Sequence, residues 1–323
     1  MVQHTRGKYT AALRTRFAPT PSGFLHAGNA ANALIIFGLA YKFGAKVLLR
    51  IDDLDSARVR PEYLDNIWQV LDWLGLKPDE GPATPSEMVQ WSQHQRLVNY
   101  TLLLDQLVAT GRVYACSCSR NQLLQAGNAS RYPGNCRHKN VPLEQPGTSW
   151  RLNTEGLDPV TWTDAWQGPQ IIDIAREQGD FIIRRKDGLP AYHIASLSDD
   201  TAFGINLAVR GLDLIGSTGA QLLLAKLAGL TVFQSAVFVH HPLLKGADGQ
   251  KLSKSAGAAA IGRKAAQSSL MEQGPSPAEH YRSAAALMGA EPASLPEQAQ
   301  LTDLLQVFQS HDLPHPHALP LSL

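Results

Sequence analysis

Apolar and polar positions divide the chain into stretches of different texture. Between Thr15 and Gly111, short β-type runs alternate with helical periodicity. Thr15–Ala18 reads as a strand that Pro19 and Pro21 terminate. A helical apolar pattern follows from about 26 to 43 and ends at Gly44, and Lys46–Asp52 (KVLLRID) has the composition of a buried strand. Pro61 suits the first turn of a helix whose Ile67, Val70, Leu71 and Leu74 share a face, with Gly75 as its stop. Another helix spans roughly 92–110. Strand–helix–strand–helix with short connections predicts parallel strands in a doubly wound α/β sheet.

At residue 112 the alternation stops. Residues 112–180 carry short strand-like pieces, turns and all three cysteines, which predicts an inserted domain. Strand-like runs return at Phe181–Arg184, Ile205–Arg210 and Ala236–His240, with a helix over Thr218–Ala228 between the last two, and are expected to complete the sheet. An Ala-rich stretch follows Ser255, then helices near 277–288 and 301–309 and a Pro/His tail. The expected organisation is an N-terminal extension (1–12), two halves of a Rossmann-type catalytic domain (13–111 and 181–240) around the insertion (112–180), and a short, mainly helical C-terminal region (241–323).

Composition narrows the function classes. Twenty-nine Lys and Arg against 28 Asp and Glu give a net charge of +1, which argues against charge-driven coating of nucleic acid and leaves room for a local basic groove. No apolar run reaches about eighteen residues, so no membrane span is expected. Residues 1–12 lack a secretory apolar stretch, which predicts a cytoplasmic protein. Cysteines confined to positions 116–136 suit a metal better than a disulfide framework.

Two segments suggest phosphate chemistry. Ser22-Gly23-Phe24-Leu25-His26-Ala27-Gly28-Asn29 opens the first helix, where a glycine lets backbone N–H groups approach an anion and the helix end adds partial positive charge. His26 and Asn29, one turn apart, share a face and offer donors to a phosphate, although a histidine there also serves as a helix cap. Far downstream, His241-Pro242-Leu243-Leu244 leads through a turn-rich loop to Lys251-Leu252-Ser253-Lys254-Ser255, two ammonium groups with hydroxyls between them. Taken alone, that stretch reads more readily as a solvated basic turn. In the cysteine segment, Cys116-x-Cys118 places two thiolates on one side of a turn, and Cys136-x-His138 follows a Tyr132-Pro133-Gly134 turn. The reading is a structural zinc site, against three unrelated buried thiols. Arg16 and Arg210 lie at the ends of expected strands, where α/β folds place their ligands, and arginine reads carboxylates bidentately.

RFAPTPSGFLHAGN, LLRIDDLDSARVRPEY, the segment from Asp180 to Asp213 and DGQKLSKS together resemble the class I glutamyl-tRNA synthetases over roughly residues 14–255. The resemblance implies a Rossmann-type fold with a zinc-bearing, acceptor-like insertion. It equates His26–Asn29 with the family's HIGH element and Lys251–Ser255 with its KMSKS loop. ATP would then meet Ser22, Gly23, His26, Gly28, Asn29, Leu243, Lys251, Ser253 and Lys254, of which His26, Asn29, Lys251 and Lys254 assist catalysis with Mg²⁺. Glutamate would contact Arg16, Ala18, Thr20, Tyr192 and Arg210, with Asp52 receiving the amino group where the family usually carries Glu. His193 stands where the family typically has Asn. Cys116, Cys118 and Cys136 would hold zinc with His138 as the preferred fourth ligand, as in full-length glutamyl enzymes, and Tyr132 as the reserve, as in the short glutamyl-queuosine enzymes. The 68 residues after Ser255 are too few for an anticodon-reading domain, which is similar to those short enzymes. They activate glutamate and esterify it to queuosine in the anticodon of tRNA(Asp), which makes that stem-loop the expected partner of a monomer. Two other outcomes stay open: a paralogue that passes an activated amino acid to another acceptor, and a silent RNA-binding relic.

Overall fold

The computed structural model describes residues 12–125, 131–244, 269–272, 274–291 and 294–314. Strands β1 (Arg14–Phe17) and β2 (Lys46–Leu49) pair in parallel, Arg14 opposite Lys46 and Phe17 opposite Leu49. Helix α1 (Ala27–Phe43) connects them and stops at Gly44, whose φ of 64° is the left-handed conformation that turns its N–H back onto the carbonyls of Ala40 and Tyr41. Helix α2 (Pro61–Trp73) starts on its proline and buries Ile67, Val70 and Leu71, as the apolar spacing requires. The helix expected over 92–110 is split. A turn, α3 (Met88–Trp91), is followed by a 3-10 segment at Gln93–Arg96, where Ser92 caps the His94 N–H, before α4 (Leu97–Ala109) begins.

The inserted region starts with β3 (Val113–Cys116) and α5 (Arg120–Gln125), and continues through β4 (Ser149–Leu152), β5 (Val160–Asp164), β6 (Gly168–Ile172) and α6 (Ile174–Glu177) to β7 (Ile182–Arg184). Strand β7 departs from expectation. It pairs antiparallel with β4, Trp150 opposite Arg184, and so belongs to a β3–β4–β7 sheet instead of the parallel one. The backbone of the preceding turn commits it there, because Leu152 N–H donates to Phe181 O and Arg151 Nη1 to Asp180 O. The β5–β6 hairpin leans the other way, with Ala165 N–H donating to Phe238 O at 2.8 Å.

After α7 (Tyr192–Ala202), strands β8 (Leu207–Gly211) and β9 (Val237–His241) form a second parallel pair joined by α8 (Ile215–Leu227) and α9 (Thr231–Gln234). Asn206 N–H bonds Arg14 O at 3.1 Å, and Arg16 reaches Val209 O, so β8 runs beside β1 in the same direction. The carboxyl ends of the parallel strands thereby share one edge, where open α/β sheets bind ligands. Phe17, Ile35, Leu49, Val209 and Val239 form one buried core, and Leu104, Leu152, Ile183, Leu224 and Phe238 another. The last two helices among the described residues, Pro277–Leu287 and Leu301–Ser310, add Ala284, Leu304 and Phe308 to the first core. They lie against α1, where Gly38 makes a notch: a Cβ there would meet the Phe308 ring at 2.5 Å. No helix among the described residues is long and apolar enough to cross a membrane.

Candidate active site

The loop before α1 is built by reciprocal capping. His26, the N-cap, accepts from Gly28 N–H through Nδ1 at 3.1 Å, and Asn29 Oδ1 accepts from His26 N–H at 3.1 Å. Capping and phosphate binding are therefore compatible. Once Nδ1 accepts, the proton of a neutral ring resides on Nε2, which makes that nitrogen a donor at a helix N-terminus. The loop is anchored from α2, where the buried Asn66 accepts from Leu25 N–H at 2.9 Å and donates to Ser269 Oγ at 2.9 Å. At the end of β9, His241 Nε2 lies 3.0 Å from Asn32 Oδ1 on α1, and burial drives its pKa down to about 4. Ser22 and Gly23 lie in the same loop, Gly28 and Asn29 in the first turn of α1, and Leu243 just beyond β9. Lys251, Ser253 and Lys254 lie outside the described residues.

At the strand edge, three guanidinium groups converge on one carboxylate. Asp200, buried on α7, accepts from Arg16 Nε at 2.9 Å, Arg50 Nη1 at 2.6 Å and Arg210 Nη2 at 3.2 Å. Burial alone would raise its pKa, but the three arginines overcome that and hold it at about 2. Arg50 also grips Asp52 bidentately, at 2.7 and 3.0 Å. Burial pushes the Asp52 carboxyl up and this guanidinium opposes the push. Both oxygens of the expected ammonium receptor are thus already held by Arg50, and each retains a lone pair. Neighbouring Asp199 is paired with Arg96, at 2.7 and 3.1 Å, and accepts from Tyr100. Four arginines therefore face three aspartates, an excess of one positive charge in a buried place. Arg210 Nε is buried with no hydrogen-bond partner among the described residues, so this donor awaits an acceptor.

Of the other expected pocket residues, Tyr192 is exposed at the start of α7, Thr20 is exposed, and Ala18 follows β1 half-buried. His193 packs edge-on to Phe181, and burial with the nearby Arg210 charge lowers its pKa to about 4, so it is neutral at physiological pH. The sequence pattern does not single out Asp200 or Arg50. For Arg50 the signal was a charge between apolar neighbours, Leu49 and Ile51, directly after β2, whereas Asp200 follows Ser198 and Asp199 and carries no such mark.

In the inserted region, the Sγ atoms of Cys116, Cys118 and Cys136 all lie within 4.8 Å of one another. Tyr132, buried, closes the group. Its hydroxyl is 3.3 Å from Cys116 Sγ and 3.7 Å from Cys118 Sγ, and it accepts from Cys136 N–H at 3.0 Å. His138 is exposed and stands outside this group. Burial works against ionisation of Cys136, but hydrogen bonds from Tyr132 and Cys118 outweigh it and bring the thiol down to about 6. Three converging thiols, one of them readily ionised, form a donor set that suits a soft, tetrahedral cation such as zinc.

Comparison with known proteins places this arrangement. The family described as tRNA synthetases class I (E and Q), catalytic domain, matches residues 12–316. A glutamyl-Q tRNA(Asp) synthetase of Synechococcus sp. is 42% identical over 249 residues, covering 75% of this chain and 79% of that one. Its counterpart from Symbiobacterium thermophilum is 36% identical over 313 residues, 93% of each chain. A glutamate-tRNA synthetase structure from Elizabethkingia anophelis shares the fold, with a TM-score of 0.73 at 24% identity, over 93% of this chain and 67% of that one. With capped histidine loop, arginine-lined strand edge and sequence in agreement, the chain belongs to the class I glutamyl- and glutaminyl-type tRNA synthetases and is a ligase of that kind.

Proposed function

We propose that this enzyme activates glutamate with ATP and transfers it to queuosine in the anticodon stem-loop of tRNA(Asp). The observation that carries the amino-acid assignment is the single excess positive charge of the buried arginine–aspartate cluster. Free glutamate has a net charge of −1 and would neutralise it, whereas glutamine is neutral and would leave it uncompensated. Arg16 and Arg210 read the side-chain carboxylate, Tyr192, Thr20 and Ala18 line the approach, and Asp52 shares its lone pairs with the ammonium group. The relatives' names, which include both the amino acid and tRNA(Asp), support the acceptor.

In the reaction proposed, the glutamate α-carboxylate attacks the α-phosphorus of magnesium-bound ATP in line. A C–O–P bond forms, the bond to the β-phosphate breaks, and pyrophosphate leaves. His26 Nε2 and Lys254 stabilise the charge on the pentacoordinate phosphorus, Asn29 and the loop of Ser22, Gly23 and Gly28 seat the triphosphate, and Leu243 packs beside the nucleotide. Lys251 and Ser253 hold the departing pyrophosphate. A hydroxyl of the acceptor then takes the acyl group and AMP leaves. In the inserted region, Cys116, Cys118 and Cys136 would hold zinc as a structural clamp, with Tyr132 at the fourth corner instead of His138 because its hydroxyl already lies among the thiols.

ATP–pyrophosphate exchange tests the first half. Without tRNA, glutamate alone of the common amino acids should support exchange, and Lys254→Ala should reduce it by about 100-fold or more while the protein stays folded. Unchanged exchange in that variant removes the lysine from the mechanism. Acid-precipitable, periodate-sensitive glutamate incorporation into queuosine-containing tRNA, and none into tRNA lacking it, tests the second half. Exchange without any incorporation points to a different acceptor.

A further inference from the structure

Arg210 is held on its far side by a buried line of three residues. Its Nη1 donates to Thr218 Oγ1 at 2.8 Å, Thr218 Oγ1 lies 2.8 Å from His240 Nε2, and His240 Nδ1 lies 2.5 Å from Asp164 Oδ2. Thr218, His240 and Asp164 have no measurable exposure. Asp164 comes from the inserted region, at the end of β5, and its Oδ1 accepts the backbone N–H groups of Trp166, Gln167 and His240. The partners along this line assign its protons. A guanidinium can only donate, so Thr218 accepts from Arg210 and must place its own proton elsewhere. His240 Nε2 is the available acceptor, which requires the neutral tautomer with its proton on Nδ1, donated to the Asp164 carboxylate. The opposite tautomer would set the bare Nδ1 lone pair against the Asp164 carboxylate and leave the Thr218 proton with no acceptor among the described residues. A doubly protonated ring would likewise leave the Thr218 proton unplaced and would add a buried cation near the Arg210 charge.

The geometry points to Asp164, His240 and Thr218 as positioning residues that aim the Arg210 guanidinium at the side-chain carboxylate of the amino-acid substrate. The inserted region thus contributes to amino-acid selection from behind the pocket, without touching the substrate. Asp200 alone leaves the guanidinium free to rotate about the Nη2 contact, and a second anchor at Nη1 fixes its plane, which is what bidentate or Nε-directed recognition of a carboxylate requires. This inference rests on the reading of Arg210 as the glutamate-binding arginine.

Two measurements test it. In the wild-type enzyme at neutral pH, the imidazole ¹⁵N shifts of His240 should report a neutral ring protonated on Nδ1. A proton on Nε2, or a charged ring, overturns the relay whatever the substrate proves to be. In exchange kinetics, Thr218→Val should raise KM for glutamate about ten- to hundredfold, with kcat and the KM for ATP within about twofold of wild type, and Thr218→Ser should restore it. A folded Thr218→Val enzyme with unchanged glutamate KM, or with both KM values raised in parallel, overturns the positioning role. Wild-type enzyme that shows no exchange with glutamate defeats the proposed function instead, and the tautomer measurement still judges the relay.

Discussion

At the strand edge, Arg16, Arg50 and Arg210 close on Asp200 from elements up to 184 residues apart, and the charges of the cluster hold one another in place. In the inserted region, Cys116, Cys118 and Cys136 come from a stretch of about twenty residues and converge on a point between them, with only Tyr132 and weak S–H contacts in support. Both places are polar and buried. The first is pre-organised by ion pairs whose desolvation has already been met, and keeps one positive charge to spend on a substrate. The second is a donor set that could hold a cation and would gain its strength from one. Pre-organisation by charge suits a site that must bind and release, whereas dependence on a metal suits a clamp that stays shut.

The sharpest way to break this contrast is to remove its centre. Asp200→Asn strips the buried Arg16 and Arg210 guanidinium groups of their carboxylate partner, leaves Arg50 paired with Asp52, and should cost about 3–5 kcal/mol in urea unfolding. A loss below about 1 kcal/mol would mean that water, not Asp200, balances those arginines. Zinc removal is expected to have a smaller and more local effect. Chelation, or Cys118→Ser, should lower stability by about 3 kcal/mol at zinc levels near a hundredfold above its Kd, with increased hydrogen exchange confined to 113–184. A chelated protein with unchanged exchange there would show that the thiols are merely buried. The mildest perturbation is pH. His193 and His241 have folded pKa values near 4, below the ordinary histidine value, so the unfolded chain binds protons that the native state refuses. Stability should therefore fall as pH drops from 7 to 5, by about 1–2 kcal/mol per histidine. The Asp200 contribution has the depressed-carboxylate sign: it is complete above the ordinary carboxylate range and is lost only as pH falls through about 2, so it stays constant in that window. His193→Asn and His241→Asn variants with an unaltered pH profile would refute the assignment.

How much of this was legible in the chain follows the same division. Punctuation by Gly44, Pro61 and Gly75 is local, and the helices they bound appear where the pattern put them. The Cys-x-Cys spacing was likewise readable, because two ligands two residues apart share a turn. Which of Tyr132 and His138 lies beside the thiols was not, since that depends on a backbone turn that carries the phenol under Cys136 and leaves the imidazole exposed. Asp200 was hidden for a different reason. Its partners are 184, 150 and 10 residues away, and nothing within one turn of α7 reveals that three strands will deliver arginines to it. Strand β7 misled because a short apolar run carries no mark of parallel or antiparallel pairing, and its partner β4 decided the matter.

The notch at Gly38 bears on how the protein can be handled. Phe308 fills it, and the helix carrying that ring shields the back of α1, whose front end presents His26. Shortening the chain to a minimal catalytic unit ahead of residue 277 would strip this cover and leave a greasy stripe on α1 facing water. Such a fragment is expected to aggregate, because Pro277–Leu287 and Leu301–Ser310 cover apolar surface that the Rossmann half leaves bare.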